Sequence, residues 1–424
     1  MHTLNGMNLL NFFRKHRVIL LLFCIAVLVR YVTFLFFPPL SGGGHDFRLY
    51  SATAEHLLAA RNFGDNPFLA PGWSIMLSMI YALFGNGRLL LGFVQSVLGA
   101  LLVVGTYLVG SHIFSSRTGL YAGILALLWP PFLLLVPTYG DHLAFYSVLF
   151  LFGIFFFFRG MREGRIVLAG ISGILLAWGA LTQAIGLYVP VMLIAWLVAS
   201  SIFQPRGLRS LRRASLPLLV FVVIFVSPIA LWAHRNVVVL HEVSPQTSAM
   251  EAPFINKRIE KDAFTPYHMQ LLVLPFSPSH IAVGIEGMQK FFLIPYNLSI
   301  LDASSPVSYI AIARELVSKD IRAISGREWV ILGVKMLLTI LHVAIVVLGL
   351  LGIALLPSET LGGLIALLLL YVLGTSIGVG SLYGDNFKSI SPLAGFLVPF
   401  MPFLIVFAVA LSLRIKGRAS LSLP

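Results

Sequence analysis

The chain has 424 residues, of which 58% are hydrophobic and only 11% charged, with a mean hydropathy of +0.94. A soluble protein carries about 25% charged residues because its surface faces water. These figures therefore exclude a set of soluble domains and predict an all-α polytopic membrane protein. The net charge of +13 raises the question of nucleic acid, but its placement along the chain, taken up below, fits membrane orientation instead.

In chain order, the first apolar run is Val18–Phe37. It lacks a small-residue cleavage site, so it reads as a retained span and not as a removable signal peptide. Cys24, the single cysteine, lies inside it, so no disulfide framework exists. Further runs long enough to cross a bilayer fall near 89–113, 118–136, 142–158, 166–183, 185–203, 214–233, 329–356, 361–380 and 391–413, which makes about ten spans. Pro67–Phe84 is apolar but broken by Pro71 and Gly72, and it reads as an interfacial or re-entrant helix. Three regions follow: an N-terminal transmembrane module over 1–233 that holds a first outer loop at 38–88, a larger outer loop over 234–328 with a helix near 309–325, and C-terminal helices over 329–424.

With the N-terminus and its Arg14, Lys15 and Arg17 in the cytoplasm, the inner segments contain Arg117; Arg159, Arg162 and Arg165; Arg206, Arg209, Arg212 and Arg213; and Arg414, Lys416 and Arg418. Only the Pro357–Thr360 connection departs from this positive-inside pattern. Both termini then lie in the cytoplasm. Of 16 Asp and Glu residues, Glu163 and Glu359 alone fall inside. Acid–base side chains therefore collect on the outer face. Within the spans, Arg30 either snorkels outward or pairs with an anionic ligand, and His342 reads as a helix–helix hydrogen-bonding residue.

The first outer loop begins Ser41-Gly-Gly-Gly-His45-Asp46-Phe-Arg48-Leu-Tyr50 and continues as a helix to Ala60. Asp46 sits where a helix begins, so it suits an N-cap. Flanked by His45, Arg48 and Tyr50, it also suits a carboxylate that stays ionised and accepts a proton, while the cations hold a phosphate. Asn66-Pro-Phe-Leu-Ala-Pro71-Gly-Trp73 follows, then a helix ending Phe84-Gly85, then Arg88; Trp73 and Tyr81 suit the headgroup region. Pro137-Thr-Tyr-Gly-Asp141-His142 joins two spans, and Asp141 is either a turn former or a second site carboxylate. Arg235 ends span seven and Lys388 lies in the last outer turn; each offers a cation to a phosphate at the membrane surface. The sequon Asn297-Leu298-Ser299 is too short a pattern to carry weight. No metal-ligand spacing, Walker loop or paired cysteines are present, so no cofactor is indicated, although the chemistry leaves room for a divalent metal.

Taken in order, these motifs resemble the GT-C superfamily of integral-membrane glycosyltransferases, on the branch of the protein O-mannosyltransferases and the lipid A aminoarabinose transferases. The resemblance rests on one span followed by Gly44-His45-Asp46-x-x-x-Tyr50, and on the Pro71-Gly72-Trp73 helix ending in Phe84-Gly85. Asp141 between two spans, Gly179-Ala-Leu-Thr-Gln-Ala-Ile-Gly-Leu-Tyr-Val-Pro190, Pro228…Arg235-Asn236 and Lys388…Pro392 complete it. It implies that Asp46 is the catalytic base and that the donor is a sugar on a polyprenyl monophosphate. It further implies that Asp141 is a second catalytic carboxylate, with His45, Arg48, Tyr50, Arg88, His142, Arg235 and Lys388 binding the donor phosphate or substrate. The acceptor would be a lipid, glycan or protein, with membrane lipids as neighbours and no nucleic acid. Three positions depart from the pattern: Ala70 and Gln183 stand where many relatives have a cation, and Asp141 where many have Glu.

The rivals are a transporter or flippase of a lipid-linked or small solute, and a polymerase or ligase of lipid-linked glycans. A transporter predicts an internal repeat and a polar midplane path, and the spans are too apolar for that. A non-catalytic scaffold leaves the outer acids and histidines unexplained. Short outer loops and the lack of a retention signal favour a prokaryotic plasma membrane, with the active site on its outer face.

Overall fold

The computed structural model describes residues 9–36, 45–63, 70–129, 132–133, 142–203, 207–240, 326–356, 365 and 398–415. Every regular element among them is helical. They are α1 (Leu9–Phe36), α2 (His45–Ala60), α3 (Pro71–Phe84), α4 (Arg88–Ile113), α5 (Ser116–Leu128), α6 (His142–Glu163), α7 (Ile166–Ala180), α8 (Val189–Phe203), α9 (Gly207–Leu240), α10 (Gly326–Leu355) and α11 (Met401–Ile415). Short 3₁₀ turns at Ala184–Tyr188 and Val398–Phe400 precede α8 and α11.

Six of these helices are long and apolar enough to cross a membrane: α4, α6 and the apolar stretches His16–Phe36, Arg212–Arg235, Met336–Leu355 and Val398–Ile415. Helices α3 and α7 and the stretch Gly186–Ile202 are apolar but shorter. The span expected over 118–136 is interrupted after Leu128, where Trp129 takes an extended conformation (ψ 118°) ahead of Pro130 and Pro131, and Phe132 and Leu133 are helical again. A residue before proline is pushed out of the helical region. The span expected to leave near 233 continues to Leu240 as α9, with Pro217 and Pro228 inside it. The expected span 361–380, apart from Ile365, and the expected helix at 309–325 lie outside the described residues.

Lipid tails are as apolar as leucine, so helices in a membrane associate by close packing through small residues. The turns set the partners. Ser115 accepts from the Thr118 amide at 3.1 Å and starts α5 directly after α4. Gly164, at φ 69°, reverses the chain between α6 and α7, a conformation that favours glycine. A Cβ at Gly119 would lie 2.5 Å from the Tyr107 carbonyl oxygen, and one at Gly352 would lie 2.5 Å from that of Phe407. Both are approaches only glycine permits, and they set α5 on α4 and α10 on α11. Ser172 on α7 donates to the Gly153 carbonyl of α6 at 2.7 Å.

One end of the bundle gathers arginines around helix ends and one carboxylate. Where α6 turns into α7, Arg159 meets Glu163 at 2.8 Å and Arg165 meets it at 3.5 Å. Arg213, at the start of α9, donates to the Glu163 carbonyl at 2.9 Å. Arg414 reaches the Leu355 carbonyl at 3.5 Å. Arg30 does not snorkel: its side chain is fully buried, and it donates to the carbonyls of Ala26 at 3.4 Å and Ala126 at 3.3 Å. Ala126 belongs to the last turn of α5, whose carbonyls lack helical donors, so a cation is well placed there. His342 on α10 stacks on Trp129 at 5.7 Å and 14°, tying α10 to the end of α5.

α3 is neither exposed nor headgroup-facing along its first turns. Trp73 is 0% accessible and Tyr81 is buried as well, because the helix start docks on protein. The Gly72 amide donates to the Leu181 carbonyl at 2.7 Å, and the Trp178 indole donates to the Gly72 carbonyl at 2.9 Å. A Cβ at Gly72 would lie 2.8 Å from the Leu181 oxygen. Gly72→Ala should therefore destabilise the detergent-solubilised protein by about 1–3 kcal/mol, the usual cost of overpacking, read as a lower melting temperature. Gly87→Ala, where nothing lies within 4 Å, should melt with the wild type.

Candidate active site

The end of the bundle opposite the arginines gathers the motif residues. α2 begins at His45, which places Asp46 in its first turn, inside the helix and not before it. An acid there is favoured by the positive end of the helix dipole. Tyr50 lies one turn further along, on the same helical face as position 46. It is buried, and its ring meets that of His142 at 5.2 Å. His142 is the first residue of α6, so this contact joins the first outer segment to the segment that carries the second candidate acid.

α2 and α3 are fastened to each other by polar bonds. Ser74 donates to the Tyr50 carbonyl at 3.2 Å, the Ser51 and Tyr81 hydroxyls meet at 2.9 Å, and Asn86 donates to Glu55 at 3.0 Å. Burial raises the Tyr81 pKa and Glu55 adds to this, while the Ser51 bond opposes them; the phenol stays neutral. Behind these bonds, Trp73 packs on Phe145 at 5.3 Å and Phe145 on Trp178 at 5.5 Å. A wall of aromatics thus joins α3, α6 and α7.

Three buried polar atoms around this junction have no hydrogen-bond partner among the described residues: Trp73 Nε1, Ser147 Oγ and Gln183 Oε1. Buried polar groups in native proteins are nearly always satisfied, and leaving one unpaired costs about 1–3 kcal/mol. Ser111 Oγ, Trp129 Nε1 and Trp232 Nε1 are in the same state elsewhere in the bundle.

The candidate cations divide into two groups. Arg235, towards the C-terminal end of α9, lies over the Trp232 ring at 4.9 Å and the Phe63 ring at 5.9 Å. Phe63 follows α2 and packs on Trp232 at 4.9 Å, so Arg235 is brought to the α2 side of the site. Arg48 is exposed on α2. Arg88 opens α4 at the same end of the bundle, but over Phe34 of α1 at 6.0 Å, on the other flank. The side chains of His45 and Asp46, and the whole of Asp141 and Lys388, lie outside the described residues. Among the described residues no group of three His, Cys, Asp or Glu side chains could hold a metal ion.

Sequence reasoning did not find Phe63, Trp178 or Ser147. Phe63 and Trp178 occupy apolar or aromatic positions whose significance appears only when distant helices meet. The signal for the docking was present in Pro71-Gly72, where a glycine immediately after a helix-starting proline allows close backbone approach.

Residues 65–232 match the family described as dolichyl-phosphate-mannose-protein mannosyltransferase. This segment takes in Arg88, Asp141 and His142 and leaves out Asp46, Arg235 and Lys388. No curated protein matches the chain significantly. Among solved structures, the oligosaccharyltransferase of Archaeoglobus fulgidus tethered to an acceptor peptide aligns with a TM-score of 0.52 and 15% identity, over 97% of this chain and 53% of that one. The same archaeon's AglB, solved with an inhibitory peptide and a dolichol-phosphate, gives 0.52 and 14%, over 95% and 51%. ArnT from Cupriavidus metallidurans, bound to undecaprenyl phosphate, aligns at 14% identity over 93% of this chain and 78% of that one, with a TM-score of 0.43. The chain thus spans about half the length of the archaeal enzymes it matches. Over residues 65–232 the sequence is thus similar to that mannosyltransferase family, and the helical fold is similar to that of the archaeal oligosaccharyltransferase.

Proposed function

We propose that the protein is an inverting glycosyltransferase that moves a sugar from a polyprenyl monophosphate to an acceptor hydroxyl at the outer face of the membrane. The observation that carries this reading is the meeting of α2, α3, α6 and α7 around Tyr50 and His142, next in sequence or in helical register to the two candidate carboxylates. The family match over 65–232 and the dolichol-phosphate bound by the archaeal relative support a lipid-phosphate donor.

In the reaction, Asp46 removes the proton from the acceptor hydroxyl, and the acceptor oxygen attacks the anomeric carbon from the face opposite the phosphate. The bond from that carbon to the phosphate oxygen breaks, the sugar inverts, and polyprenyl monophosphate leaves with the bonding electrons. Asp141 is the second carboxylate. Arg48 and Arg235, with Arg88 and Lys388, hold the leaving phosphate and stabilise the charge that grows on it. His45, Tyr50 and His142 line the path between base and phosphate.

Asp46→Asn should lower transfer by about 10²–10⁴-fold, the contribution of general-base assistance, with the melting temperature kept. Lipid extracts of cells that carry the variant in place of the wild type should accumulate a polyprenyl-phosphate sugar, and one envelope glycan should lose that sugar. Unchanged lipids and glycans, with the variant present in the membrane, would remove Asp46 from the mechanism. Arg235→Gln should lower kcat/KM for the donor by about tenfold, the scale of one charge-assisted hydrogen bond. Steady-state kinetics with varied donor test this, and unchanged donor kinetics would take Arg235 out of the phosphate site.

A further inference from the structure

Helix α9 has different partners before and after its second proline. Before it, Gly170 and Gly173 bring α7 close: a Cβ at Gly173 would lie 3.0 Å from the Phe221 carbonyl oxygen, and one at Gly170 would lie 3.2 Å from Ile224. The Phe221 ring also meets that of Phe157 on α6 at 4.9 Å. After it, Trp232 packs on Phe63 at 4.9 Å, and Arg235 lies over both rings. Phe63 follows α2, so this end of α9 is tied to the segment that carries α2.

Between the two sets of contacts stand Ser227 and Pro228, with Pro228 inside the helix. It has no N–H to offer the Ile224 carbonyl, and its ring pushes against that carbonyl, which kinks a helix. Beside it, the Ser227 hydroxyl donates to the Val223 carbonyl at 2.6 Å, a back-bond that also bends helices. Two neighbouring rungs of the helical ladder are therefore loosened at one turn. Pro217, the other proline of α9, comes before the α7 contacts, and those contacts fix the direction of the helix after it.

The lever is long enough to matter. Arg235 lies about 10 Å further along the helix than Pro228, and a kink of about 20° displaces the backbone there by roughly 3.5 Å. The Arg235 guanidinium is 5.9 Å from the centre of the Phe63 ring, and a cation–π contact reaches only to about 6 Å. A displacement of that size removes the contact.

We propose that Pro228 is a positioning residue for the phosphate site: it turns the last part of α9 off the line set by α7 and so brings Arg235 onto Phe63. Pro228 touches no substrate and acts through Arg235. The inference rests on the reading of Arg235 as a ligand of the donor phosphate.

Pro228→Ala, which restores the missing N–H, tests this on the purified full chain in detergent. Spin labels at Ala60→Cys and His234→Cys, both exposed, report the separation of α2 and α9 in a Cys24→Ser background that removes the native cysteine. Pro228→Ala should lengthen that separation by about 3 Å. It should also weaken binding of undecaprenyl monophosphate by about tenfold, as Arg235→Gln does. The double variant Pro228→Ala/Arg235→Gln should bind no worse than Arg235→Gln, because residues that share one contact are not additive. The melting temperature should hold or rise, since the helix gains a hydrogen bond, and Pro217→Ala should leave the separation and the binding unchanged. The proposal is overturned if the separation stays at the wild-type value, if the two losses multiply in the double variant, or if Pro228→Ala lowers the melting temperature. Normal binding in Pro228→Ala with weak binding in Arg235→Gln overturns this inference and leaves the phosphate site standing. Normal binding in Arg235→Gln removes its place at the phosphate, and this inference with it.

Discussion

The end of the bundle where α2 and α3 dock depends on one backbone contact, that of Gly72 with Leu181. The amide-to-carbonyl bond of 2.7 Å and the Trp178 indole bond to the Gly72 carbonyl fix where α3 begins. α3 in turn fixes α2 through Ser74, Tyr81 and Asn86. α2 then delivers Tyr50 to His142. A loop between two membrane spans has little hydrophobic driving force to hold it in one place, so a close backbone docking and a few directed hydrogen bonds do that work instead. Glycine is required at position 72 because any Cβ there would meet the Leu181 backbone.

The two ends of the bundle solve different electrostatic problems. At the basic end, arginines are shared among one carboxylate and helix-end carbonyls. At the other end, aromatics support the proposed chemistry: Arg235 lies on Trp232 and Phe63, and Trp73, Phe145 and Trp178 form the wall behind the site. Stacking on the two rings fixes where the guanidinium lies. Arg30 serves a third purpose inside the membrane. Its donations to the carbonyls of Ala26 and Ala126 hold it among apolar helices, while its Nε has no hydrogen-bond partner among the described residues.

Hydropathy made six spans among the described residues legible, because length and apolarity are properties of single segments. The stop at Trp129 was also written in the chain, in the prolines that follow it, yet a long apolar run concealed it. What the residues did not disclose was tertiary. A tryptophan after Pro-Gly reads as a headgroup anchor when only its own helix is considered, and Trp73 is instead fully buried against Phe145. The pairing of Tyr50 with His142 joins positions far apart in the chain and leaves no local trace. Motif order carried the family resemblance further than any single motif, since each taken alone is short and has an ordinary structural alternative.

The central claim is that a polyprenyl phosphate is handled at the end of the bundle where α2, α3, α6 and α7 meet. The most direct measurement is photocrosslinking of the purified protein with a polyprenyl monophosphate that carries a diazirine beside its phosphate, followed by peptide mapping. This probe needs no knowledge of the sugar. The account predicts adducts on the segments around Tyr50, Trp73, His142 and Arg235, reduced by excess unlabelled polyprenyl phosphate. Competable adducts confined to α10 and α11, or to the arginine-rich end, would contradict it.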